Sequence, residues 1–403
     1  MAELNIQISA DPRLDMQKFA TMAKVREEAI QATPAEEVNG TFAINENAKA
    51  LHPDVMKLVI DEIIDRGAAE AKTYILKNAD GGPLPYFRAG QYLSLKLPLD
   101  GSFVTRSYSL CLSPKEALNG KYAITIRTNP GGFVADRLLE SLKAGDTVLS
   151  SGPQGFFYYE ALRDKKQVIG LAGGSGITPF LSLASAICDG TEDFELTLLY
   201  GSRTEESILF RSELDAIAAA CPKFKVIHVL SDEKKDGWES GFITAELIRK
   251  YAPEGEYSVF MCGPKAMYVF GEAQCKKLGL PKRLYRMEMS GDYMGVVNNP
   301  DYPKDQIGKS YSLTVDIRGE KTVVPCKADE SLLWAMERAG IKAPAHCRSG
   351  ECGWCHSRLV KGKVYIPAEA DGRRLGDIKF NWIHPCVSFP LSDIELCVFP
   401  TAE

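Results

Sequence analysis

The sequence has little that would tie the protein to a membrane or to nucleic acid. No apolar run approaches the roughly 18 residues that a transmembrane helix needs. The opening segment, MAELNIQISADPRLDMQKFA, lacks the basic and apolar regions of a secretory signal peptide. The net charge is −5, and the lysines and arginines form no basic stripe of the kind that binds phosphate backbones. These absences predict a cytoplasmic protein with no integral membrane segment and no nucleic-acid partner.

Internal repeats and low-complexity tracts are also missing, so the 403 residues divide only where the residue pattern changes. A chain of this length is expected to form several domains. Its first part has apolar residues at helical spacing, among them Met16, Phe19 and Met22, followed by a polar segment. The changes of pattern place a helical N-terminal extension at 1–55 and further units at 56–160, 161–290, 291–309 and 310–403.

Short strands separated by glycine and proline fill the second unit. AKTYILKN, GQYLSLKLP and KYAITIRT predict a small antiparallel β-barrel. In the third unit, strands such as KQVIGLAG and FKVIHVLS alternate with helical segments such as TPFLSLASAI, which predicts a parallel sheet wrapped by helices. The residues 291–309 are rich in glycine, proline, asparagine and aspartate, so we expect a linker there. The last unit opens with two strands and a helix.

Cysteine is the residue whose distribution is most informative. The chain has 11 cysteines, an odd number, and several of them lie in one loop, which favours metal or redox chemistry over a disulfide framework. The loop CRSGECGWC spans 347–355, and a further cysteine follows after thirty intervening residues. This spacing matches the plant-type [2Fe-2S] arrangement, in which one loop supplies three thiolates and a distant strand end the fourth. The predicted ligands are Cys347, Cys352, Cys355 and Cys386.

Other residues near the loop are assigned lesser roles. Gly350 and Gly353 let the backbone wrap closely and aim its amides at the sulfurs. Four cysteines complete the ligand set, so His346 and His356 are interpreted as neighbours of the cluster rather than ligands. The alternative is a structural zinc site in a binding module, although zinc ribbons usually pair their cysteines as C-x2-C units.

Two segments of the third unit suggest a nucleotide site. In VIGLAGGSGITPFLSLA a strand leads through Gly173, Gly174 and Gly176 into a helix, so a phosphate could approach the helix N-terminus, although a tight turn alone would also use glycine. In VFMCGPKAM, Cys262 ends a strand where open α/β sheets bind ligands. Taken alone, Cys262 is better interpreted as a buried core residue.

The barrel contributes a third candidate segment, RSYSL. Arg106 and Tyr108 alternate along a strand and share one face, while Ser109 turns to the other. A guanidinium can hold phosphate and an aromatic ring can cover a flat heterocycle. Taken alone, however, Arg106, Tyr108 and Ser109 are more simply interpreted as half-exposed strand residues than as a binding site. NPGGFVADRLL follows, a Gly-Gly turn before a helix.

Taken together, these motifs resemble the ferredoxin–NADP reductase superfamily, and in particular the electron-transfer reductases of oxygenase systems that carry a C-terminal plant-type ferredoxin domain. The resemblance covers roughly residues 56–400 and rests on four motifs in the family's order. It implies a flavin-binding β-barrel, a parallel-sheet NAD(P) domain and an α+β ferredoxin domain of the β-grasp class. The cofactors it implies are FAD or alternatively FMN, NADH or alternatively NADPH, and a [2Fe-2S] cluster.

The resemblance also assigns residues to these cofactors. It implies that Arg106, Tyr108 and Ser109 bind the flavin and that Gly131 and Gly132 begin its phosphate turn. It further implies that Gly173, Gly174, Gly176 and Thr178 line the nucleotide site, with Cys262, Gly263 and Pro264 beside the nicotinamide ring. Glu288 is similar to the family's acidic residue near the reactive edge of the flavin.

The sequence departs from the family pattern in two places. Ala135 stands where the family often has a hydroxyl on the flavin phosphate helix, and Met289 replaces an aromatic residue, for which Tyr293 is a candidate substitute. The nucleotide preference is argued separately. Asp232 follows a strand where a carboxylate would repel a 2′-phosphate and accept from a ribose hydroxyl. This favours NADH, while Lys234, Lys235 and Arg203 keep NADPH as the alternative.

The function follows from electron counting. NADH gives two electrons as hydride, a [2Fe-2S] cluster carries one at a time, and a flavin can do both. We therefore predict an NADH-dependent reductase that passes electrons through flavin and cluster to a partner redox protein or enzyme. The alternatives are a diaphorase or a flavin or ferric reductase that uses small acceptors, and a redox-sensing or assembly subunit in which the sites serve interaction.

Overall fold

The computed structural model describes residues 12–32, 42–67, 70–99, 102–127, 141–288 and 291–399. The chain divides into two compact units, Met1–Asn47 and Ala48–Glu403. Helix α1 spans Pro12–Ala32 and helix α2 spans Ala43–Leu51. The side chains described in α1, from residue 16 onward, are all exposed. None of the helices in the described ranges is long and apolar enough to cross a membrane.

The first domain of the second unit is an antiparallel barrel, as predicted. Its six strands lie in the order β4-β3-β6-β1-β2-β5, and a bridge between Leu110 and Ile124 joins the two ends. Alternate apolar residues, such as Leu58, Tyr74 and Leu95, point inward and form the core. The elements are β1 (Met56–Asp65), β2 (Ala71–Asn78), β3 (Tyr92–Leu99), β4 (Ser102–Ser109), α3 (Lys115–Leu118), β5 (Tyr122–Arg127) and β6 (Thr147–Ser150).

The second domain is a six-stranded parallel sheet with helices on its faces, also as predicted. The strand order is β10-β9-β8-β7-β11-β12, with the first strand, β7, beside β11. Successive strands are therefore added on one side of β7 as far as β10 and then on its other side, so the strand order reverses between β7 and β11. The elements are β7 (Gln167–Gly173), α4 (Thr178–Cys188), β8 (Glu195–Ser202), α5 (Arg211–Ala220), β9 (Phe224–Leu230), β10 (Glu239–Ser240), α6 (Ala245–Tyr251), β11 (Ser258–Cys262), α7 (Lys265–Lys277) and β12 (Tyr285–Met287).

The C-terminal domain is a mixed five-stranded sheet, β14-β13-β19-β15-β17, with a separate two-stranded sheet, β16-β18. Its longest helix begins where Ser331 accepts a hydrogen bond from the Trp334 amide at 3.3 Å. The elements are β13 (Ser310–Ile317), β14 (Glu320–Lys327), α8 (Leu332–Arg338), β15 (Ser357–Lys361), β16 (Val364–Tyr365), α9 (Leu375–Lys379), β17 (Trp382–Ile383), β18 (Phe389–Pro390) and β19 (Ile394–Val398).

The predicted linker between the last two domains is packed rather than free. Its Val296 and Tyr302 are buried against Phe389 of β18, and the Tyr302 hydroxyl donates to the Ala328 carbonyl at 3.0 Å. The backbone of this segment is irregular apart from the 3₁₀ turns Val296–Asn298 and Lys304–Gln306. The composition did not indicate that two apolar side chains anchor this segment to the C-terminal domain.

Candidate functional site

A cavity of about 710 Å³ opens at the carboxyl ends of the parallel strands. The glycine-rich turn forms one wall, where Gly174 has a φ of +53° and a 3₁₀ turn leads into α4. A Cβ atom on Gly176 would lie only 2.2 Å from the Cys262 carbonyl oxygen. The turn therefore needs glycine at this position so that β7 and β11 can approach each other closely. Thr178 begins α4, and its hydroxyl donates to the Ser175 carbonyl at 3.1 Å.

The adjoining wall of the cavity is the segment after Cys262, since β11 is the neighbour of β7. Gly263 and Pro264 line the cavity, and a Cβ on Gly173 would meet Pro264 at 3.0 Å. The structure thus brings the two nucleotide motifs, which are about ninety residues apart in sequence, into direct contact. A glycine-lined helix start facing a cavity of this size fits a dinucleotide phosphate.

Arg127 is a cavity residue that the sequence analysis missed. It ends β5 of the barrel, yet it lines the nucleotide cavity, and a Cβ on Gly174 would lie 3.1 Å from its Nη1 atom. A guanidinium beside a phosphate-binding turn adds the positive charge that the turn itself lacks. Nothing in the local sequence of β5 indicates this position, because the contact crosses a domain boundary.

The predicted carboxylate Asp232 contacts two residues that line this cavity. Its Oδ2 atom accepts from Arg203 Nε at 3.1 Å, and its Oδ1 atom accepts from Ser231 Oγ at 2.6 Å. Arg203 and Ser231 both line the cavity. A carboxylate and a guanidinium are thus paired where the adenosine end of a dinucleotide would lie.

Glu288 lies beside Cys262 in the structure. It follows β12, and its amide donates to the Met261 carbonyl at 2.9 Å, while Cys262 Sγ is 4.0 Å from the Glu288 carbonyl oxygen. Tyr268 joins the two segments. Its hydroxyl donates to the Glu288 carbonyl and accepts from the Gly263 amide at 3.2 Å. Sequence reasoning missed Tyr268, whose role depends on these tertiary contacts.

Burial raises the pKa of both candidate catalytic side chains and so favours their neutral forms. It raises the pKa of Glu288 well above the ordinary value, and the charges of Glu351 and Cys347 act in the same direction. Burial also raises the pKa of Cys262, with a further contribution from Glu288. A neutral thiol is a weak nucleophile, and a neutral carboxylic acid can donate a hydrogen bond. These two groups are suited to lining a redox ring rather than to nucleophilic attack.

The barrel supplies the predicted flavin residues on β4. Arg106 Nη2 lies 2.9 Å from Asp292 Oδ2, and its side chain is only 12% exposed. Nearby, a Cβ on Gly155 would lie 2.8 Å from the Tyr92 ring and 3.7 Å from Glu288 Oε1. A buried guanidinium, a tyrosine and a close-packed glycine beside Glu288 fit a flavin at the barrel edge. Gly131, Gly132 and Ala135 lie outside the described residues, as does Met289.

Tyr293, the candidate substitute for an aromatic residue at position 289, is engaged elsewhere. Its hydroxyl contacts Glu369 and Asn299, and the Lys265 ammonium lies 3.4 Å from the centre of its ring. These contacts place the ring between the parallel-sheet domain and the C-terminal domain.

The four predicted ligand cysteines form two pairs. Cys355 Sγ and Cys386 Sγ are 3.4 Å apart, and the Cys352 amide donates to Cys347 Sγ at 3.4 Å. In the described residues, no three histidine, cysteine, aspartate or glutamate side chains are arranged around a single metal ion. Two thiolate pairs fit a binuclear cluster, in which each iron takes two thiolates, better than a zinc ion, which needs all four around one centre.

The loop that carries the cysteines is shaped by its glycines and by backbone amides. A Cβ on Gly350 would lie 2.1 Å from the Ala370 carbonyl oxygen, so only glycine fits there. The amides of Ser349 and Trp354 approach the sulfurs of Cys347 and Cys352 at 3.5 Å. Such donors stabilise thiolate charge and tune a cluster's potential.

The flanking histidines and the strand cysteines occupy different environments. His346 is buried edge-on against Trp354, and burial lowers its pKa to about 4. His356 is half-exposed, and its Nε2 atom is 2.8 Å from Asp377. Cys326 is buried in β14, whereas Cys397 in β19 is only partly buried.

A chain of buried charges connects the barrel to the cluster loop. Asp292 Oδ2 binds Arg106, and its Oδ1 atom binds Arg348 Nε at 2.5 Å. Arg348, which follows Cys347 and is fully buried, also binds both carboxylate oxygens of Glu337 at 2.6 and 2.9 Å. Burial opposes the ionisation of Asp292, but the charges of Arg348 and Arg106 prevail and hold its pKa below the ordinary value.

Tyr92 lies between the Glu288 region and the cluster loop. It is buried, and its pKa is raised first by burial and then by the charges of Cys347, Cys352 and Glu288. The Cys347 carbonyl also accepts from the Gly291 amide at 3.0 Å. The Cys347–Cys352 pair is therefore the half of the cluster site that faces the barrel.

Comparison with known proteins agrees with this arrangement. Three family models match the chain: an oxidoreductase FAD-binding domain over 83–159, an oxidoreductase NAD-binding domain over 171–272, and a 2Fe-2S iron-sulfur cluster binding domain over 315–391. FAD is thus the flavin that the matching model supports, and the zinc alternative is wrong. The ferredoxin reductase component of 3-ketosteroid-9-alpha-monooxygenase from Mycobacterium tuberculosis (strain H37Rv) is 30% identical over 84% of this chain and 94% of its own.

The chain belongs to this family of ferredoxin reductases. The glycine betaine monooxygenase reductase from Chromohalobacter salexigens is 26% identical over 79% of this chain and 89% of its own. The structure of phthalate dioxygenase reductase, a modular protein for electron transfer from pyridine nucleotides to [2Fe-2S], matches 86% of this reductase and 98% of its own chain, with 24% identity and a TM-score of 0.61. The reductase is thus an oxidoreductase that moves electrons from NADH through FAD to a [2Fe-2S] cluster.

Proposed function

We propose that this reductase is the electron-supplying component of an oxygenase system. The single observation that carries the proposal is the continuous arrangement within one compact unit: the nucleotide cavity, the Cys262–Glu288 contact, Tyr92 and the Cys347–Cys352 pair follow one another. A bound flavin would supply the conversion of a hydride's electron pair into single electrons. The protein's own task is to position the three redox groups and exclude water between them.

The residues around the cavity would hold the nucleotide. Gly173, Gly174, Gly176 and Thr178 would present the turn and the start of α4 to the pyrophosphate, supported by Arg127. Cys262, Gly263 and Pro264 would lie along the nicotinamide ring. Their close-packed surface would orient the ring, and a neutral thiol there would not react with it.

The residues at the barrel edge would hold the flavin. Arg106 would bind its phosphate, Tyr108 would cover the ring system, and Ser109 would bond its edge. Gly131 and Gly132, which lie outside the described residues, would begin the turn that holds the flavin phosphate. Glu288, whose pKa burial raises, would donate a hydrogen bond near the reactive edge of the flavin when it is protonated.

The Arg203–Asp232 pair supports NADH as the donor. A 2′-phosphate would meet the Asp232 carboxylate, whereas a ribose hydroxyl can donate to it. We expect Asp232→Ala to narrow the ratio of kcat/KM for NADH over NADPH, since Arg203 would then be released. A ratio unchanged by this substitution would contradict the role of Asp232. Because NADH is a metabolite of the cytoplasm, we expect the reductase to act there.

The partner class rests on the relatives. Their names describe the reductases of two monooxygenases, so we propose an oxygenase as the electron acceptor. The alternative acceptor is a small molecule, as in a diaphorase or a ferric reductase.

An anaerobic NADH titration of the iron-replete protein, followed by visible absorption and EPR, tests the electron path. We expect the flavin absorbance to bleach and the EPR signal of a reduced [2Fe-2S] cluster to appear. Flavin reduction without a cluster signal, in protein with bound iron, would contradict the proposal and support the small-acceptor reductase.

A further inference from the structure

The C-terminal domain carries an exposed apolar surface next to the cluster. Leu375 and Ile378 lie three residues apart on α9 and therefore share a face, and they are 87% and 50% exposed. Phe380 follows the helix and Phe399 follows β19, and these side chains are 60% and 53% exposed. We refer to these four residues as the α9 surface. Exposed apolar patches of this kind mark interaction sites.

An aromatic stack connects the α9 surface to the second cysteine pair. His356, which follows Cys355, stacks on Trp382 with the ring centres 4.3 Å apart and the planes 9° apart. Trp382 contacts Phe399 at 5.3 Å, and the His356 ring lies 6.0 Å from His384, two residues before Cys386. The Cys355–Cys386 pair is therefore flanked by rings that extend to the surface, whereas the Cys347–Cys352 pair faces the barrel.

The charges around the α9 surface are basic. Arg374 and Lys379 flank α9 and are exposed, and Lys379 Nζ lies 5.5 Å from the centre of the Phe380 ring. Exposed Arg358 is paired with Trp382 across β15 and β17, so both side chains project from the same side of the sheet. The acidic residue of α9, Asp377, is engaged by His356 at 2.8 Å. A partner that fits must present an apolar centre with an acidic rim.

We propose that the α9 surface is the docking site for the acceptor protein and that this acceptor presents an acidic rim around an apolar patch. The proposal rests on the proposed function, since it names the exit point of the same electron path. Electrons enter the cluster from the side of Cys347 and Cys352 and leave from the side of Cys355 and Cys386. One electron passes at each encounter, oxidising the reduced cluster and reducing the acceptor's metal centre.

The test compares acceptor reduction by variants of the full-length holoprotein. Phe380→Ser with Leu375→Ser removes the apolar centre, and Arg374→Glu with Lys379→Glu reverses the basic rim. The matched controls are Leu162→Ser, at a side chain 98% exposed, and Lys121→Glu, at an exposed lysine of the barrel. The probe is cytochrome b5, an acidic one-electron protein, with the basic protein cytochrome c as the counter-probe.

We expect the second-order rate of cytochrome b5 reduction at low salt to fall about tenfold with either pair of substitutions. The charge-reversed variant should also lose the decrease in rate with added salt. Its rate with cytochrome c should rise instead. Cluster reduction by NADH, measured before the acceptor is added, should match the wild type in every variant, as should all rates of the two controls.

Three results would overturn the proposal. The first is a rate of cytochrome b5 reduction that neither pair of substitutions changes. The same holds if the wild type does not reduce cytochrome b5 at any salt concentration. The second is a rate retained when Cys386→Ser removes a cluster ligand, since electrons would then bypass the cluster. The third is a dimer of the wild type that Phe380→Ser dissociates in sedimentation, which would assign the surface to a second copy. Failure of NADH to reduce the wild-type cluster would instead refute the proposed function, and it is seen before any acceptor is added.

Discussion

The thiolate of Cys386 comes from a different segment of the chain than the other three predicted ligands. Its removal therefore tests the cluster and the flavin separately. We expect Cys386→Ser to abolish reduction of one-electron protein acceptors because one iron loses half of its protein ligands. Reduction of the flavin by NADH should persist, since the nucleotide cavity and barrel contain none of the four cysteines. Stopped-flow absorption of flavin and cluster measures both steps.

Cys397→Ser is the matched control for this substitution. Cys397 lies in the same domain, is partly buried in β19 and is not one of the paired cysteines. It should behave as the wild type in both steps. Loss of flavin reduction in a folded Cys386→Ser protein would contradict the division of labour between flavin and cluster.

Glu288 provides a prediction about pH. Burial raises its pKa in the folded protein, while the unfolded chain releases the proton near the ordinary value of about 4.3. Between these two values the folded state binds more protons, so its stability falls as pH rises, by about 1.4 kcal/mol per pH unit. Glu288→Gln cannot lose a proton, so we expect its Tm to rise relative to the wild type as pH increases from 4.5 to 8.

Thermal unfolding of the holoprotein at several pH values measures this difference. Glu206→Gln, at an exposed position, serves as the control and should follow the wild-type curve. A difference between Glu288→Gln and the wild type that stays constant across the pH range would show that Glu288 is ionised in the folded protein.

At the scale of elements, the charge chain from β4 to α8 joins two domains through a single carboxylate. Asp292→Asn would leave Arg106 without its charged partner and Arg348 with only Glu337. Removing one partner of a buried ion pair costs on the order of 3 kcal/mol. We therefore expect a lower Tm for the loss of cluster absorbance and slower electron transfer from flavin to cluster, because the cluster loop is no longer held against the barrel.

The exposed linker residue Asp305, which pairs with Lys309 at 3.1 Å, offers the matched control. Asp305→Asn should leave both measurements unchanged. If Asp292→Asn transferred electrons from flavin to cluster at the wild-type rate, the charge chain would have no role in positioning the two groups.

The elements that local sequence determines were predicted, and those that depend on distant contacts were not. AKTYILKN gave β2 with its observed bounds because its apolar residues alternate regularly. Strand β1, MKLVIDEIID, was not recognised, since a bulge between Ile60 and Glu62 breaks the alternation. The C-terminal half of the last domain has strands of two to five residues, too short to show a period.

The same distinction applies to the site. The candidate ligand cysteines could be predicted from the sequence because three of them share one loop. Arg127, Tyr268 and Asp292 were missed because each acts on a segment from another part of the chain, and a single sequence does not show such contacts. Asp292 in particular lies in a stretch whose composition predicts a linker, yet it binds two arginines from different domains.

At the scale of the whole molecule, the domain order follows the direction of electron flow only in part. The nucleotide domain lies between the barrel and the C-terminal domain in sequence, whereas the barrel adjoins the cluster loop in space through Arg106, Asp292 and Tyr92. This arrangement places the flavin site between donor and cluster. A two-electron donor is thereby kept apart from a one-electron carrier.

The N-terminal extension precedes the segments that the family models match. The first of the three family-model matches begins at residue 83, and the barrel begins with β1 at Met56. We expect a chain that starts at residue 42 to reduce its cluster with NADH at the full-length rate and to keep the same Tm, as measured by stopped-flow absorption and calorimetry. A chain that starts at residue 61 should lose its flavin, because it lacks the half of β1 that pairs with β6. If the shorter deletion alone slowed cluster reduction, the extension would belong to the electron path.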